Sequence, residues 1–236
     1  MQQMVNSIAE KVLGNKQGKY KELLDQQNHD LIDFFVKLLD QKCNSGDINA
    51  CNSLGRAYFF GDKVAKDYTK ASKMFEKSCD KGDAVGCASL GILYRDGKGV
   101  EQDYTKSAKL YQKACDAGYA NSCYNLGVVY GDGLGVKQDY AVASKYFAKA
   151  CRSDYILGCY NLGVLYMEGL GVKKDYTKAA KLFSKACDGN NANACYNLGV
   201  LYESGKGGKS LAIKYYDKGC KLGDSQSCAV YNELNR

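Results

Sequence analysis

The chain has no proline, no tryptophan and a single histidine, His29. Without proline no backbone N–H is removed and no φ is locked, so turns fall to glycine, which suits an almost wholly helical chain. One histidine cannot supply the clustered ligands of a metallohydrolase. It also lies in an atypical N-terminal segment, so no Ser-His-Asp set can be argued. No apolar run approaches the ~20 residues a membrane-spanning helix needs, so membrane insertion is not expected. No nucleic-acid-binding motif is present, and a nucleic-acid partner is not expected either. The formal net charge is +7. The lysines are spread at helical spacing, for example Lys70, Lys73 and Lys77, then Lys106, Lys109 and Lys113, then Lys178, Lys181 and Lys185. That spacing describes a solvated basic exterior and not a focused patch.

What the chain does have is cysteine at a fixed beat. Its twelve cysteines fall into six pairs, each eight residues apart: Cys43/Cys51, Cys79/Cys87, Cys115/Cys123, Cys151/Cys159, Cys187/Cys195 and Cys220/Cys228. The first five pairs recur every 36 residues and the last arrives three residues early. A fixed period in this range marks a solenoid of helix–turn–helix units. Leu126, Val129 and Tyr130 recur as Leu162, Leu165 and Tyr166, and Tyr140, Ala143, Phe147 and Ala150 form a second stripe. Both have steps of three and four, the period of a helix and not of a strand. Between the stripes lie Gly97-Lys-Gly99, Gly133-Leu-Gly135, Gly169-Leu-Gly171 and Gly205-Lys-Gly207, suited to stopping a helix and making a tight turn. They are not phosphate loops, since no strand precedes them and no Gly-Lys-Ser/Thr follows. Asp67, Asp103, Asp139 and Asp175 precede the second stripe as N-caps. Gly55, Gly91, Gly127, Gly163 and Gly199 fall inside the first helix, where glycine costs about 1 kcal/mol against alanine, so close approach of a partner helix is expected there. Tyr58, Tyr94, Tyr130, Tyr166 and Tyr202 are spaced for packing between helices.

The pattern Leu-Gly-x-x-Tyr, Gly-x-Gly-Val, Asp-Tyr-x-Lys-Ala and Tyr/Phe-x-Lys-Ala-Cys resembles the Sel1-like repeat, a relative of the tetratricopeptide repeat. With a cysteine pair in every unit it is similar to the Helicobacter cysteine-rich protein family. The resemblance covers roughly residues 30–228. It implies an all-α, right-handed α/α solenoid with one disulfide per repeat, and a generic interaction scaffold in place of a defined chemistry. On this reading residues 1–29 form an atypical helical N-terminal cap, 30–223 the solenoid of five to six units, and 224–236 a C-terminal capping helix. Phe34, Phe35, Leu38 and Leu39 are expected to be the buried stripe of a second helix that lacks a good first one.

Eight residues of continuous helix span about 12 Å, whereas a disulfide needs Cα atoms within about 7 Å. Bridged pairs therefore require the chain to turn back, and Asp80-Lys-Gly-Asp83, Asp116-Ala-Gly-Tyr119 and Leu222-Gly-Asp224 sit in the gaps to do so. Reduced core thiols and metal binding are the rival readings. Zinc sites usually space ligands two to four residues apart and often use histidine, so no metal and no cofactor is expected. Disulfides imply an oxidising compartment, periplasmic or secreted, and reduced thiols a cytoplasmic one. The start, Met1-Gln-Gln-Met-Val-Asn-Ser-Ile-Ala-Glu10, has neither the basic residues nor the apolar run of a signal peptide. A mature form carrying an added or coincidental Met is favoured over a protein made without a signal.

The scaffold resemblance implies that the first helices line a concave surface that binds an extended protein or peptide segment. Asn125, Asn161 and Asn197 are the candidate ligand-binding amides, by analogy with the tetratricopeptide repeats, and Tyr124, Tyr160 and Tyr196 the candidate contact rings. The alternative for both sets is packing between helices. Asn52-Ser53 and Ala88-Ser89 break the pattern, so the ladder covers the C-terminal three units. A monomer is expected. The Helicobacter family is associated with penicillin binding and weak β-lactamase activity. The one Ser-x-x-Lys here, Ser78-Cys-Asp-Lys81, spans a paired cysteine and lacks Ser-Asp-Asn and Lys-Thr-Gly partners. No catalytic residue is therefore assigned. A β-lactam-binding protein and a cytoplasmic adaptor with reduced thiols stand as alternatives to the scaffold.

Overall fold

The computed structural model describes residues 17–205 and 208–235, with side chains described from residue 30 onward. Twelve α-helices and no strand occur among the described residues. A long helix, α1 (Gln17–Asn44), leads into five helix pairs: α2 (Ile48–Phe60) with α3 (Tyr68–Asp80), α4 (Ala84–Asp96) with α5 (Tyr104–Asp116), α6 (Ala120–Asp132) with α7 (Tyr140–Arg152), α8 (Ile156–Glu168) with α9 (Tyr176–Asp188), and α10 (Ala192–Ser204) with α11 (Gly208–Lys221). A last helix, α12 (Ser225–Leu234), follows. Each helix packs on the one before it and the one after it, so the contacts are local and the core is a series of small clusters.

The ends of the helices follow from the sequence. The carboxylates of Asp67, Asp103, Asp139 and Asp175 accept the backbone N–H three residues on, as N-caps do. First helices α2, α4, α6 and α8 stop at Gly61, Gly97, Gly133 and Gly169, all left-handed at φ 64 to 76°. The loop then closes on itself: the N–H groups of Asp67, Asp103, Asp139 and Asp175 donate to the carbonyls of Tyr58, Tyr94, Tyr130 and Tyr166. The turns between units need one residue at positive φ. Gly46, Gly82, Gly118 and Gly223 fill that position, as do Asp154 and Asn190.

Those turns bring the cysteines together. Cys43 is bonded to Cys51, Cys79 to Cys87, Cys115 to Cys123, Cys151 to Cys159, Cys187 to Cys195 and Cys220 to Cys228. The Cα atoms of each pair lie 4.5 to 4.7 Å apart, and no free cysteine remains. Each bridge fastens the end of one second helix to the start of the next first helix, and each closed loop is worth roughly 2–3 kcal/mol in the chain-entropy account. The first bridge differs only in that α1 stands in the place of the second helix.

The helical glycines have the predicted packing role. A Cβ added at Gly55, Gly91, Gly127, Gly163 or Gly199 would lie 2.6 to 2.8 Å from a ring atom of Phe75, Tyr111, Phe147, Phe183 or Tyr216. The first helix therefore gives up a side chain so that the second helix can seat an aromatic ring against its backbone. The repeated tyrosines are half-buried between helices. Tyr130 stacks on Tyr146 and Tyr202 on Tyr215, while Lys70, Lys106 and Lys178 lie over Tyr58, Tyr94 and Tyr166.

One expectation fails at the N-terminal end. Phe34 and Phe35 are 60% and 52% exposed, and Leu38 is only half-buried; Val36 and Leu39 do the packing onto α2. A second helix is normally held between two first helices. Among the described residues α1 has only α2, so the face that would meet a first helix of its own stays open. Helix α1 is continuous across residues 29 and 30, and residues 1–16 of the proposed cap lie outside the described residues.

Candidate functional site

The first helices of the last three complete pairs carry the candidate residues, and the structure places them in two networks. Tyr124 is half-buried on α6, with its ring 5.8 Å from Phe147 and 5.2 Å from Tyr155. Burial pushes its hydroxyl pKa up, Tyr155 adds to that, and the Asn161 amide works against it by hydrogen bonding to the oxygen. Asn161 of one repeat thus meets Tyr124 of the repeat before. Asn125 donates to Asn121, 3.0 Å away, and Asn121 in turn donates to the Tyr155 hydroxyl at 2.8 Å. Tyr160 lies 5.9 Å from Phe183 and Tyr196 5.8 Å from Tyr216. Asn197 is half-buried on α10. Every candidate tyrosine therefore packs against the second helix of its own repeat, and Asn125 and Asn161 have internal partners.

The cysteine immediately before each of these tyrosines belongs to the framework and not to the site. Cys123, Cys159 and Cys195 are buried at the starts of α6, α8 and α10, as is Cys87 at the start of α4. Their sulfurs are taken up in the bridges to Cys115, Cys151, Cys187 and Cys79. None of the four lines a described cavity, whereas Cys43 and Cys51 border a shallow one beside α1. A bonded, buried sulfur is neither a nucleophile nor a metal ligand, so these residues act on the site only by fixing where each first helix begins.

A cavity of about 380 Å³ opens between α6 and α8 where the tyrosines and amides meet. Tyr124, Phe147 and Asn161 line it together with Val128, Val164 and Asp132. Helices α6, α8 and α10 contain no lysine or arginine, and each carries one acid: Asp132, Glu168 and Glu203. Helices α7, α9 and α11 carry the lysines. Several of those are used structurally: Lys149 pairs with Asp116, Lys185 with Asp154 and Lys218 with Asp188, tying each second helix to the end of the one before or to the turn that follows it, at 2.8 to 3.2 Å. Such exposed pairs contribute about 0–1 kcal/mol each.

Asn121, Tyr155 and Asp132 were not among the sequence candidates. A signal for two of this neighbourhood's residues was present. First helices α2, α4, α10 and α12 start at Asp47, Asp83, Asn191 and Asp224, each capping with its side chain, whereas α6 and α8 start at Tyr119 and Tyr155 with no side-chain cap. Loss of a cap costs about 1 kcal/mol, and a tyrosine there gains contact area in exchange. At the equivalent place in the first pair, Asn52 donates to the Asp83 cap at 2.9 Å.

Ser78, of the Ser-x-x-Lys match, is fully buried and its hydroxyl donates to Asp83 at 3.0 Å. It sits against the backbone of Gly86 and lines none of the described cavities. No cluster of His, Cys, Asp and Glu suited to a metal ion is found among the described residues. No described helix is long and apolar enough to cross a membrane.

A family model for the Sel1 repeat matches five times, at residues 48–83, 84–119, 120–155, 156–191 and 192–224. Those bounds coincide with the five helix pairs. Among solved structures, a protective antigen of uropathogenic Escherichia coli displaying an SLR fold is 31% identical, with a TM-score of 0.81 over 84% of this chain. The chain spans 43% of that antigen's length. A Sel1 repeat protein from Oxalobacter formigenes is 23% identical with a TM-score of 0.70, covering 81% of this chain and 77% of its own. Helicobacter pylori cysteine rich protein B is 34% identical over 57% of this chain and 97% of its own length, with a TM-score of 0.45. No curated protein matches the sequence.

Proposed function

The chain belongs to the Sel1 repeat family, and from that premise we propose that it is a non-catalytic interaction scaffold that holds an extended peptide segment of a partner protein along its first helices. The observation that carries this reading is the cavity between α6 and α8, where Tyr124, Asn161, Val128 and Val164 converge beside Asp132. Apolar walls, an amide and a carboxylate make a site for a peptide with apolar side chains and a basic residue. An amide both donates and accepts, which suits a backbone whose own polar groups are unpaired. The acids of α8 and α10 repeat the preference along the row, while the basic second helices would repel the same peptide, so charge alone directs it to one face. The six disulfides support an oxidising compartment, and we place the protein in the periplasm or outside the cell, as a monomer.

The test is selection of displayed peptides on the immobilised, oxidised chain. Enriched peptides should combine aliphatic or aromatic residues with lysine or arginine, and bind more weakly as salt rises. The combined Asn125→Ala, Asn161→Ala and Asn197→Ala variant should keep its helical circular dichroism and lose about tenfold or more in affinity, on the order of 1.4 kcal/mol. Unchanged binding by a folded triple variant would remove the amide row from the site.

A further inference from the structure

Four of the five repeats have the same length and the fifth, at residues 192–224, is three residues shorter. In the second, third and fourth repeats the loop after the first helix lies across the second helix of the repeat before. A Cβ added at Gly99, Gly135 or Gly171 would come within 2.2 to 2.6 Å of Tyr68, Tyr104 or Tyr140. Thr69 and Thr105 donate their hydroxyls to the carbonyls of Gly99 and Gly135, at 3.4 and 3.0 Å. The next residue in each loop, Val100, Val136 or Val172, packs into the hydrophobic cluster beneath.

The fifth repeat has a shorter loop. Five residues separate Gly169 from the Asp175 cap, but only two separate Gly205 from Gly208, where α11 begins. Gly208 follows Gly207 where the other loops carry valine, and no aspartate caps the helix. The surface that the loop would cover is open. Tyr176 is 56% exposed, whereas Tyr68, Tyr104 and Tyr140 are half-buried. Leu201 is half-buried, whereas Leu93, Val129 and Leu165 at the same register are buried. A cavity of about 600 Å³ results, lined by Tyr176, Thr177, Ala180, Lys181, Leu201 and Tyr202.

We propose that this open seam between α9 and α10 is a second peptide-binding site, which takes a glycine-containing loop of a partner protein bearing a β-branched aliphatic residue. The sister repeats define the ligand, because they show what fills the same surface in cis. A carbonyl would accept from Thr177, a glycine would lie over Tyr176 where a side chain has no room, and a valine or isoleucine would cover Leu201 and Tyr202. The cavity is on different helices from the one between α6 and α8 and stands independently of that reading.

The probe is a blocked synthetic peptide with the sequence of residues 133–139, Gly-Leu-Gly-Val-Lys-Gln-Asp. In a ¹⁵N-labelled oxidised chain, its addition up to about a millimolar should give saturable amide shifts confined to residues around Tyr176, Thr177, Leu201 and Tyr202. Replacing its valine by glycine should weaken binding about tenfold, the size expected from leaving one aliphatic side chain in water. A chain in which residues 205–208 are exchanged for the fourth repeat's loop, Gly-Leu-Gly-Val-Lys-Lys-Asp, should bind nothing at the seam and melt at a higher temperature. If that graft does not fold, Ala180→Arg, on a half-buried position of α9, serves as the blocking variant. Absence of saturable shifts in the natural chain would overturn the proposal, as would shifts elsewhere in the solenoid or equal binding by a blocked chain.

Discussion

Replacing Gly127 by alanine tests the packing logic of every repeat at once. On helix propensity alone the change should stabilise, by up to about 1 kcal/mol in a helix interior. The structure reverses the sign. An added Cβ would lie 2.6 Å from Cδ1 and Cε1 of Phe147, so contact distance is missed by roughly 1 Å. Phe147 is 5% exposed, and the buried Ala143, Leu162 and Leu165 lie in the same cluster, so the ring has little room to retreat. Overpacking of a filled core costs about 1–3 kcal/mol, and set against a propensity gain of about 1 kcal/mol the net loss should be up to about 2 kcal/mol. Gly131, one turn further along α6, provides the internal control. Its added Cβ meets nothing closer than the Ala143 methyl at 3.9 Å, so Gly131→Ala should be neutral or stabilising by up to about 1 kcal/mol. Urea unfolding followed by circular dichroism, with disulfides intact, measures both, with the slope of the transition watched for loss of cooperativity. The difference should also appear as a melting temperature lower by about 2–4 °C per kcal/mol. Gly127→Ala as stable as the natural chain, or more stable, would refute the idea that these glycines exist to admit an aromatic ring.

Mild native reduction should open one bridge first. Ten cysteines are at most 6% exposed, whereas Cys220 and Cys228 are half-buried, so mass mapping after alkylation should find label there before any other pair; early label at Cys115 or Cys123 would contradict the order. Asp83→Asn should cost about 1 kcal/mol at pH 7, from cap and hydrogen bonds together. Burial alone would raise the Asp83 carboxyl, but donors from Asn52, the Gly86 N–H and Ser78 hold it below the ordinary carboxylate range. A depressed folded pKa gives stability that is present above the unfolded value near 3.8 and lost as pH falls through the folded one. The gap between Asp83→Asn and the natural chain should therefore close in acid, and a gap that persists at low pH would assign the cost to shape instead. Asp139→Ala removes the α7 cap on Val142 and should cost about 1 kcal/mol by urea unfolding, whereas Ser would retain most of it.

The sequence by itself determined the repeat, the helices and their ends. A period of 36 residues running through the first five cysteine pairs, an aspartate before four of the five second helices and a glycine after each of the five paired first helices are local signals, and local backbone chemistry decides where a helix starts and stops. The cysteine pairs, such as Cys79 with Cys87 or Cys187 with Cys195, were legible as bridges because the intervening turn residues were legible too. Tertiary structure decided what no spacing states. Phe34 and Phe35 have the pattern of a buried stripe, yet burial depends on a neighbour, and α1 lacks the first helix that would cover them. The tyrosines and asparagines of α6, α8 and α10 could be placed on one helical face from sequence. That Asn161 reaches back to Tyr124, or that Asn121 meets Tyr155, depends on how one repeat is rotated against the next. The shortened fifth loop was visible as a cysteine arriving three residues early. Its consequence, an uncovered Tyr176 and Leu201, emerges only when the loops of the other repeats are seen lying across their neighbours, because a missing contact can be recognised only where the contact itself is in view.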